Sequence, residues 1–413
     1  MRTKASLRVL YLSAFIDYAG IAIVYPVFAH LFFERELGFF SPEVTETVRG
    51  VWLGVLIALY PIMQFFSAPF FGSLSDAKGR KKILLITLSI AAVGYLFAVA
   101  GVYFRSIWSL VCYRILVGIG AGNSSILSAM IADLSRPEEK SKHFGRLSMS
   151  FGSGFILAPF LGGFLVKRFG MLCPFYIPFF LVILNLFFVL WKIQETRAVS
   201  SAKKSGVLSS LTLLRRAAEM KSLRGVFLSL FVFTLGWAFF TEFTPLFLLY
   251  QYGFAPSQTG IYYGYAGLFY ALMVGFVAPA VVDRVGAEKA LPIAQIACGI
   301  TVALLLMIEN SAILWFYMPV IQFFMAFIYP TTSTVISNCT PDDVQGEAMG
   351  IYQAVGALGM AICPFLGGVF VGAHPWLIVV IGGGLMLAGG VLLSLCPLRA
   401  SAPADKMTLI DRG

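Results

Sequence analysis

Apolar residues run in long blocks along this chain, separated by short polar stretches. The blocks fall at residues 8–33, 51–73, 83–104, 107–133, 144–166 and 172–192, then at 224–250, 259–282, 288–308, 312–338, 345–372 and 375–397. A helix needs about 20 mostly apolar residues to cross a bilayer. Each block therefore predicts one spanning helix, and the pattern predicts an all-α membrane protein with twelve of them. One longer polar stretch, 193–222, separates the two sets and carries Lys203, Lys204, Arg215, Arg216 and Lys221 among several serines. The expected organisation is an N-terminal six-helix bundle at 1–192, a cytoplasmic linker at 193–222, a C-terminal six-helix bundle at 223–398 and a cytoplasmic tail at 399–413.

Composition agrees. The chain is 59% hydrophobic and 12% charged, where soluble domains are nearer half apolar and a quarter charged. The net charge of +10 does not require a nucleic-acid partner, because basic residues collect on the cytoplasmic side of membrane proteins. With both termini inside, the inside segments hold 24 of the 30 Lys and Arg residues. The outside loops hold five: Arg35, Arg49, Arg105, Lys167 and Arg168. The run from Val9 to Phe33 is too long for a signal peptide and contains Asp17 and Pro26, so it reads as a retained first helix.

The six cysteines lie singly, with no CxxC or metal-ligand spacing, and read as small packing residues. His30, His143 and His374 are scattered, and no HExxH or Walker-type phosphate loop occurs. No metal, no cofactor and no enzymatic activity are expected.

The chain repeats itself. Gly154 to Gly163 (GFILAPFLGG) returns as Gly359 to Gly368 (GMAICPFLGG), 205 residues later. Asp76-Ala-Lys-Gly79 has a weaker echo in Asp283-Arg-Val-Gly286, at an offset of 207. Two related six-helix halves explain both. Transporters are commonly built from such repeats, with substrate handled near mid-membrane between them.

The sharpest motif is Gly72-Ser-Leu-Ser-Asp76-Ala-Lys-Gly79-Arg80-Lys81-Lys82, between the second and third blocks. Gly72 permits close helix approach, Gly79 a tight turn, and Arg80 a directed pair with a carboxylate. Asp76 is able to cap or face a helix N-terminus. The motif resembles the cytoplasmic signature G-x-L-x-D-x-x-G-R-K of the major facilitator superfamily. The resemblance implies that Asp76 and Arg80 latch the cytoplasmic side shut, with Asp133 in the place of the arginine's partner. Ala58 to Pro69 (ALYPIMQFFSAP) and Phe15 to Pro26 (FIDYAGIAIVYP) resemble the second and first helices of that family's tetracycline and multidrug proton-antiporter group. Ala132-Asp133 followed by His143-Phe144-Gly145 matches its loop between helices four and five.

Gly154, Ala158, Pro159, Gly162 and Gly163 resemble the family's antiporter motif G-x-x-x-G-P-x-x-G-G, with alanine for the second glycine. Small residues at this spacing let helices cross closely, and proline removes one backbone donor. The resemblance implies export by exchange. The second copy around Pro364 fits a role in structural symmetry as well.

Charges inside a bilayer are costly and usually functional. Asp17, Arg114 and Glu242 sit well inside blocks. Arg114, in YRILVGIGAG, resembles the family's helix-four motif, which implies a part in proton transfer. Asp17 is the candidate proton acceptor; its depth and that of Arg114 differ by about 8 Å at 1.5 Å per residue, so a direct pair is not implied. Glu242 is a candidate second proton site or cation-binding group. Tyr18, Gln64, Phe240 and Gln322 are candidate substrate-binding residues at mid-span positions.

The expected function is a proton-coupled antiporter of the bacterial inner membrane, working as a monomer and exporting a small lipophilic or drug-like molecule by alternating access. Its partners are substrate, protons and lipid. An importer or facilitator of a nutrient, metabolite or siderophore, and a non-transporting receptor or scaffold, are the alternatives. Tetracycline exporters are expected to carry a His in helix eight and an Asp in helix nine; block eight has no histidine and block nine no internal acid.

Overall fold

The computed structural model describes residues 2–34, 38–135, 140–196, 217, 219–220, 223–340 and 345–396. The linker expected at 193–222 and the tail at 399–413 lie almost wholly outside them. Every regular element among the described residues is helical. In order these are α1 (Arg2–Ala22), α2 (Tyr25–Phe33), α3 (Glu46–Lys78), α4 (Arg80–Tyr103), α5 (Ile107–Gly120), α6 (Asn123–Leu134), α7 (Lys140–Phe169) and α8 (Cys173–Lys192). There follow α9 (Arg224–Tyr252), α10 (Pro256–Leu272), a π-turn (Met273–Val277), α11 (Ala278–Val285), α12 (Ala287–Leu304) ending in a 3₁₀ turn (Leu305–Met307), α13 (Ser311–Asn338), α14 (Gln345–Ala373) and α15 (Leu377–Leu395). Among the described residues, eleven stretches are long and apolar enough to cross a membrane. Helix α7 lies on the fifth apolar block and is not among these eleven.

Three blocks expected as single helices are broken, and their sequences explain it. The first breaks at Ile23–Val24, just ahead of Pro26, which has no N–H to continue the ladder. The fourth breaks at Ala121–Gly122, after the glycine run. There a Cβ at Gly118 would stand 2.7 Å from the Tyr60 carbonyl, and one at Gly122 2.9 Å from that of Ser67. The chain is thus pressed backbone-to-backbone on α3 where no side chain fits. The eighth contains the π-turn, ahead of Pro279.

The chain divides into two compact units. One comprises Met1–Ser210 with Pro245–Tyr265, the other Leu211–Thr244 with Ala266–Gly413. The first holds an apolar core from α1, α3, α4, α6, α7 and α8, with Leu10, Ala14, Leu84, Leu88, Ile126 and Met130 fully buried. At the start of α3 stands Arg49, expected from sequence as a charge of an outside loop. Arg49 is instead buried and donates to the carbonyls of Phe32 (2.7 Å), Ser41 (3.0 Å) and Val44 (3.2 Å). The second unit packs α12 on α15 through facing glycines: a Cβ at Gly299 would lie 2.7 Å from the Gly383 carbonyl.

The repeat is visible in the backbone. Gly79 has φ 99° and ψ 135°, and Gly286 has φ 87° and ψ 140°. Both are conformations that only glycine adopts without strain, so the echo between the two loops is one of shape.

Candidate functional site

On the expected cytoplasmic side the loop motif becomes a compact charge cluster. Arg80, the first residue of α4, is 5% exposed. Its Nε donates to Asp133 Oδ2 on α6 at 2.8 Å, and its Nη2 lies 2.7 Å from Asp76 Oδ1 at the end of α3. A third bond runs from Nη1 to Ser75 Oγ at 3.0 Å. The guanidinium thus ties three helices together. Gly72 lies under Ser125 of α6, where a Cβ would be 3.1 Å from the Oγ.

Asp76 is expected both to latch with Arg80 and to cap or face a helix N-terminus; its carboxylate pairs with Arg80. The cap of α4 comes from Glu195, just past α8, which accepts from the backbone N–H groups of Arg80 (2.7 Å) and Lys81 (3.1 Å). These are first-turn donors with no partner inside the helix. Thr196 donates to Asp133 Oδ2 at 3.2 Å, and Lys81 Nζ to the Leu190 carbonyl at 2.9 Å. The sequence pattern places 195 and 196 in the cytoplasmic linker and singles out neither. The sign available was a Glu-Thr pair directly following an apolar block.

Asp17 and Arg114 do not meet. Asp17 is partly buried on α1, and its Oδ2 accepts from Asn123 Nδ2 at 2.8 Å. Asn123 opens α6 just after the glycine break, so the break presents an amide to the carboxylate. A small cavity beside Asp17 is lined by Tyr60, Tyr95, Gly120 and Asn123. Among the described residues no cationic side chain lies within ion-pair distance of Asp17.

Arg114 is 2% exposed. Its Nε donates to the Leu56 carbonyl at 2.6 Å and its Nη2 to that of Ile57 at 3.4 Å. Pro61 stands four residues after Ile57 in the same helix, so the Ile57 carbonyl has no helical donor; the arginine supplies one. The guanidinium also lies 5.3 Å from the Phe28 ring, 5.6 Å from Tyr60 and 5.8 Å from Tyr113.

Gly154, Gly162 and Gly163 lie on the contact faces of α7. A Cβ at Gly154 would stand 2.7 Å from the Phe15 carbonyl, and one at Gly162 would strike that of Ile23, at the break between α1 and α2. Ala158 is buried between them. Gly163 faces a different neighbour: a Cβ there would lie 2.5 Å from the Pro256 carbonyl and 3.1 Å from Gly260. In the repeat, Gly359 meets Thr234 and Leu235, and Gly367 meets Phe243.

Glu242 is partly buried on α9, near Cys363 of α14. Tyr18 and Gln64 are partly buried in the first unit, and Gln322 is buried in the second. Phe240 packs on α15, its Cβ 3.3 Å from where a Cβ at Gly382 would be.

The sequence matches the Major Facilitator Superfamily over residues 10–323 and 276–408. The chain belongs to that superfamily. It is 28% identical over 411 residues to the tetracycline resistance protein, class E, of Escherichia coli, covering 96% of this chain and 97% of that one. It is 29% identical over 395 residues to the quinolone resistance protein NorA of Staphylococcus aureus, covering 93% and 95%. Among solved structures, the human organic anion transporter MFSD10 superposes with a TM-score of 0.68 at 22% identity, covering 95% of this chain and 99% of that one. The nucleoside transporter NupG gives 0.73 at 16%, covering 94% and 99%. The major facilitator fold, membership of a family of membrane transporters for small molecules, and integration in a membrane follow from these matches together with the apolar helices.

Proposed function

We propose that this superfamily member is a proton-coupled antiporter that exports a small lipophilic or drug-like molecule. The observation that carries the reading is the setting of Asp17: a carboxylate inside a membrane helix, held by one neutral amide at 2.8 Å and bordered by a small cavity. An amide donor serves the carboxyl group in either charge state, and among the described residues no cation at ion-pair distance holds it as an anion. Its proton occupancy is then free to follow solvent access as the protein rocks. Full-length similarity to tetracycline and quinolone resistance proteins supports a drug-like cargo.

In this reading the halves 1–192 and 223–398 alternate access, and Asp76, Arg80 and Asp133 latch the cytoplasmic side. Arg114 tunes the proton site, and Glu242 is a second acid in the pathway. Tyr18, Gln64, Phe240 and Gln322 contact substrate. The excess of basic residues on one set of loops supports a bacterial inner-membrane protein with both termini in the cytoplasm. It works as a monomer and takes its energy from the proton gradient, without a bound cofactor.

The test is uptake of tetracycline and of norfloxacin into proteoliposomes under an imposed pH gradient. Exchange driven by the gradient, abolished by an uncoupler and by Asp17→Asn, is the expected result. Undiminished gradient-driven transport in Asp17→Asn overturns the assignment of the proton site. Movement that ignores uncoupler and gradient overturns proton coupling itself. Accumulation in the direction of proton flow indicates an importer.

A further inference from the structure

His30 lies in α2, on the expected outer side of the membrane and away from Asp17 and the cytoplasmic cluster. The ring is fully buried. Its Nδ1 is 3.0 Å from the Pro26 carbonyl, and its Nε2 is 2.9 Å from the carbonyl of Phe254, 224 residues away in the chain. Both neighbours are carbonyl oxygens, which only accept. A neutral imidazole carries one N–H and one lone pair, so it satisfies one of the two and turns a lone pair on the other. Only the imidazolium, with two N–H groups, satisfies both. Glu34 supplies a counter-charge, its Oε1 3.6 Å from Nε2.

The Phe254 carbonyl lies just past the end of α9, in the segment Pro245–Tyr265 that packs with the first unit. That segment contains no charged residue; its titratable groups are tyrosines. Arg49 of α3 is bound to the Phe32, Ser41 and Val44 carbonyls. Lys167 and Arg168, in the last turn of α7, are exposed. Among the described residues, Glu34 is the carboxylate at ion-pair distance from the ring.

We propose that His30 is a further proton-binding site of this transporter, charged while the Phe254 carbonyl is docked on it and neutral once the two separate. With the ring sealed from solvent in the docked state, a proton enters or leaves only when the outer end of α2 and the 253–254 turn part. On parting, the Nε2–H bond breaks, the proton passes to water, and the nitrogen keeps the electron pair. Acid on the outer side therefore favours the docked state, and alkali favours release. What the cell gains from this proton rests on the proton-driven reading above; the docking equilibrium itself does not.

The test needs no substrate. The chain has three histidines, so replacing His143 and His374 by Gln leaves a single ¹⁵N-histidine signal in nanodiscs. Both ring nitrogens bonded to hydrogen in acid, with loss of one proton on raising the pH within about 5 to 8, is the expected result. Hydrogen exchange in peptides covering 248–259 should increase several-fold over the same interval, after correction for intrinsic exchange, and His30→Gln should abolish that step. A neutral single-tautomer ring throughout the interval overturns the proposal. So does a pH step in loop exchange that survives in His30→Gln. If that variant fails to fold, the spectrum of the chain retaining His30 decides alone. Failure of proton-coupled transport would show separately, in the Asp17→Asn assay.

Discussion

Arg80 donates to Asp133 at 2.8 Å across 53 residues of chain, joining the first turn of α4 to the last turn of α6. The same guanidinium is gripped by Asp76, 2.7 Å away. The two acids share one partner, and Arg80 is nearly excluded from water. Loss of either acid leaves a buried cation half neutralised; loss of both leaves it bare. Asp76→Asn and Asp133→Asn should each destabilise the protein by about 1.5–3 kcal/mol, the range for hydrogen bonds to charged groups. The double variant should differ from their sum by at least about 0.5 kcal/mol. Thermal unfolding in nanodiscs measures this, and strict additivity would mean that the acids act independently.

The capping role of Glu195 is separable from the latch. Glu195→Ala removes the acceptor for two first-turn amides of α4 while leaving Arg80, Asp76 and Asp133 in place. A cost of about 0.5–2 kcal/mol is expected, as for loss of a helix cap. Faster hydrogen exchange confined to the first turn of α4 would locate it. Unchanged exchange there would show that the cap contributes nothing.

Arg114 and Pro61 should be energetically coupled. The arginine donates to the carbonyl of Ile57, which the proline deprives of a helical donor. Arg114→Lys retains the charge but lacks the planar fork that reaches both Leu56 and Ile57. It should lower stability by about 1–3 kcal/mol, the cost of a buried group left without its partner. Restoring the backbone donor with Pro61→Ala should reduce that cost by at least about 0.5 kcal/mol. An equal penalty in both backgrounds would refute the coupling.

Much of this architecture was legible in the chain before any coordinates, because membrane helices announce themselves by length and apolarity. The Arg80 cluster was legible too, since its spacing repeats a known pattern. Other features were not. Arg49 counts as a loop charge in any tally, yet three carbonyls around it bury it; that depends on a loop path, which hydropathy does not encode. Asn123 looks like one polar residue after a glycine run. Its meaning depends on the helix breaking there, and on α1 placing Asp17 within 2.8 Å. The Phe254 partner of His30 lies 224 residues away in sequence, beyond any local pattern.

The glycines of α7 give the most discriminating steric prediction, because the helix contains its own control. A Cβ at Gly163 would lie 2.5 Å from the Pro256 carbonyl and 2.9 Å from the Ser257 Cα, both backbone atoms with no freedom to rotate away. Gly152, in the same helix, is exposed with nothing within 4 Å of an added Cβ. Gly163→Ala should therefore destabilise by about 1–3 kcal/mol, as overpacking does. Gly152→Ala should be neutral or stabilise by up to about 1 kcal/mol through helix propensity alone. Because Gly163 packs on the 256–260 stretch next to the Phe254 turn, its substitution should also increase hydrogen exchange in peptides covering 248–259. Paired unfolding and exchange measurements check both points. A Gly163→Ala protein as stable as Gly152→Ala, with an equally protected turn, would mean that α7 and the segment Pro245–Tyr265 are not in backbone contact.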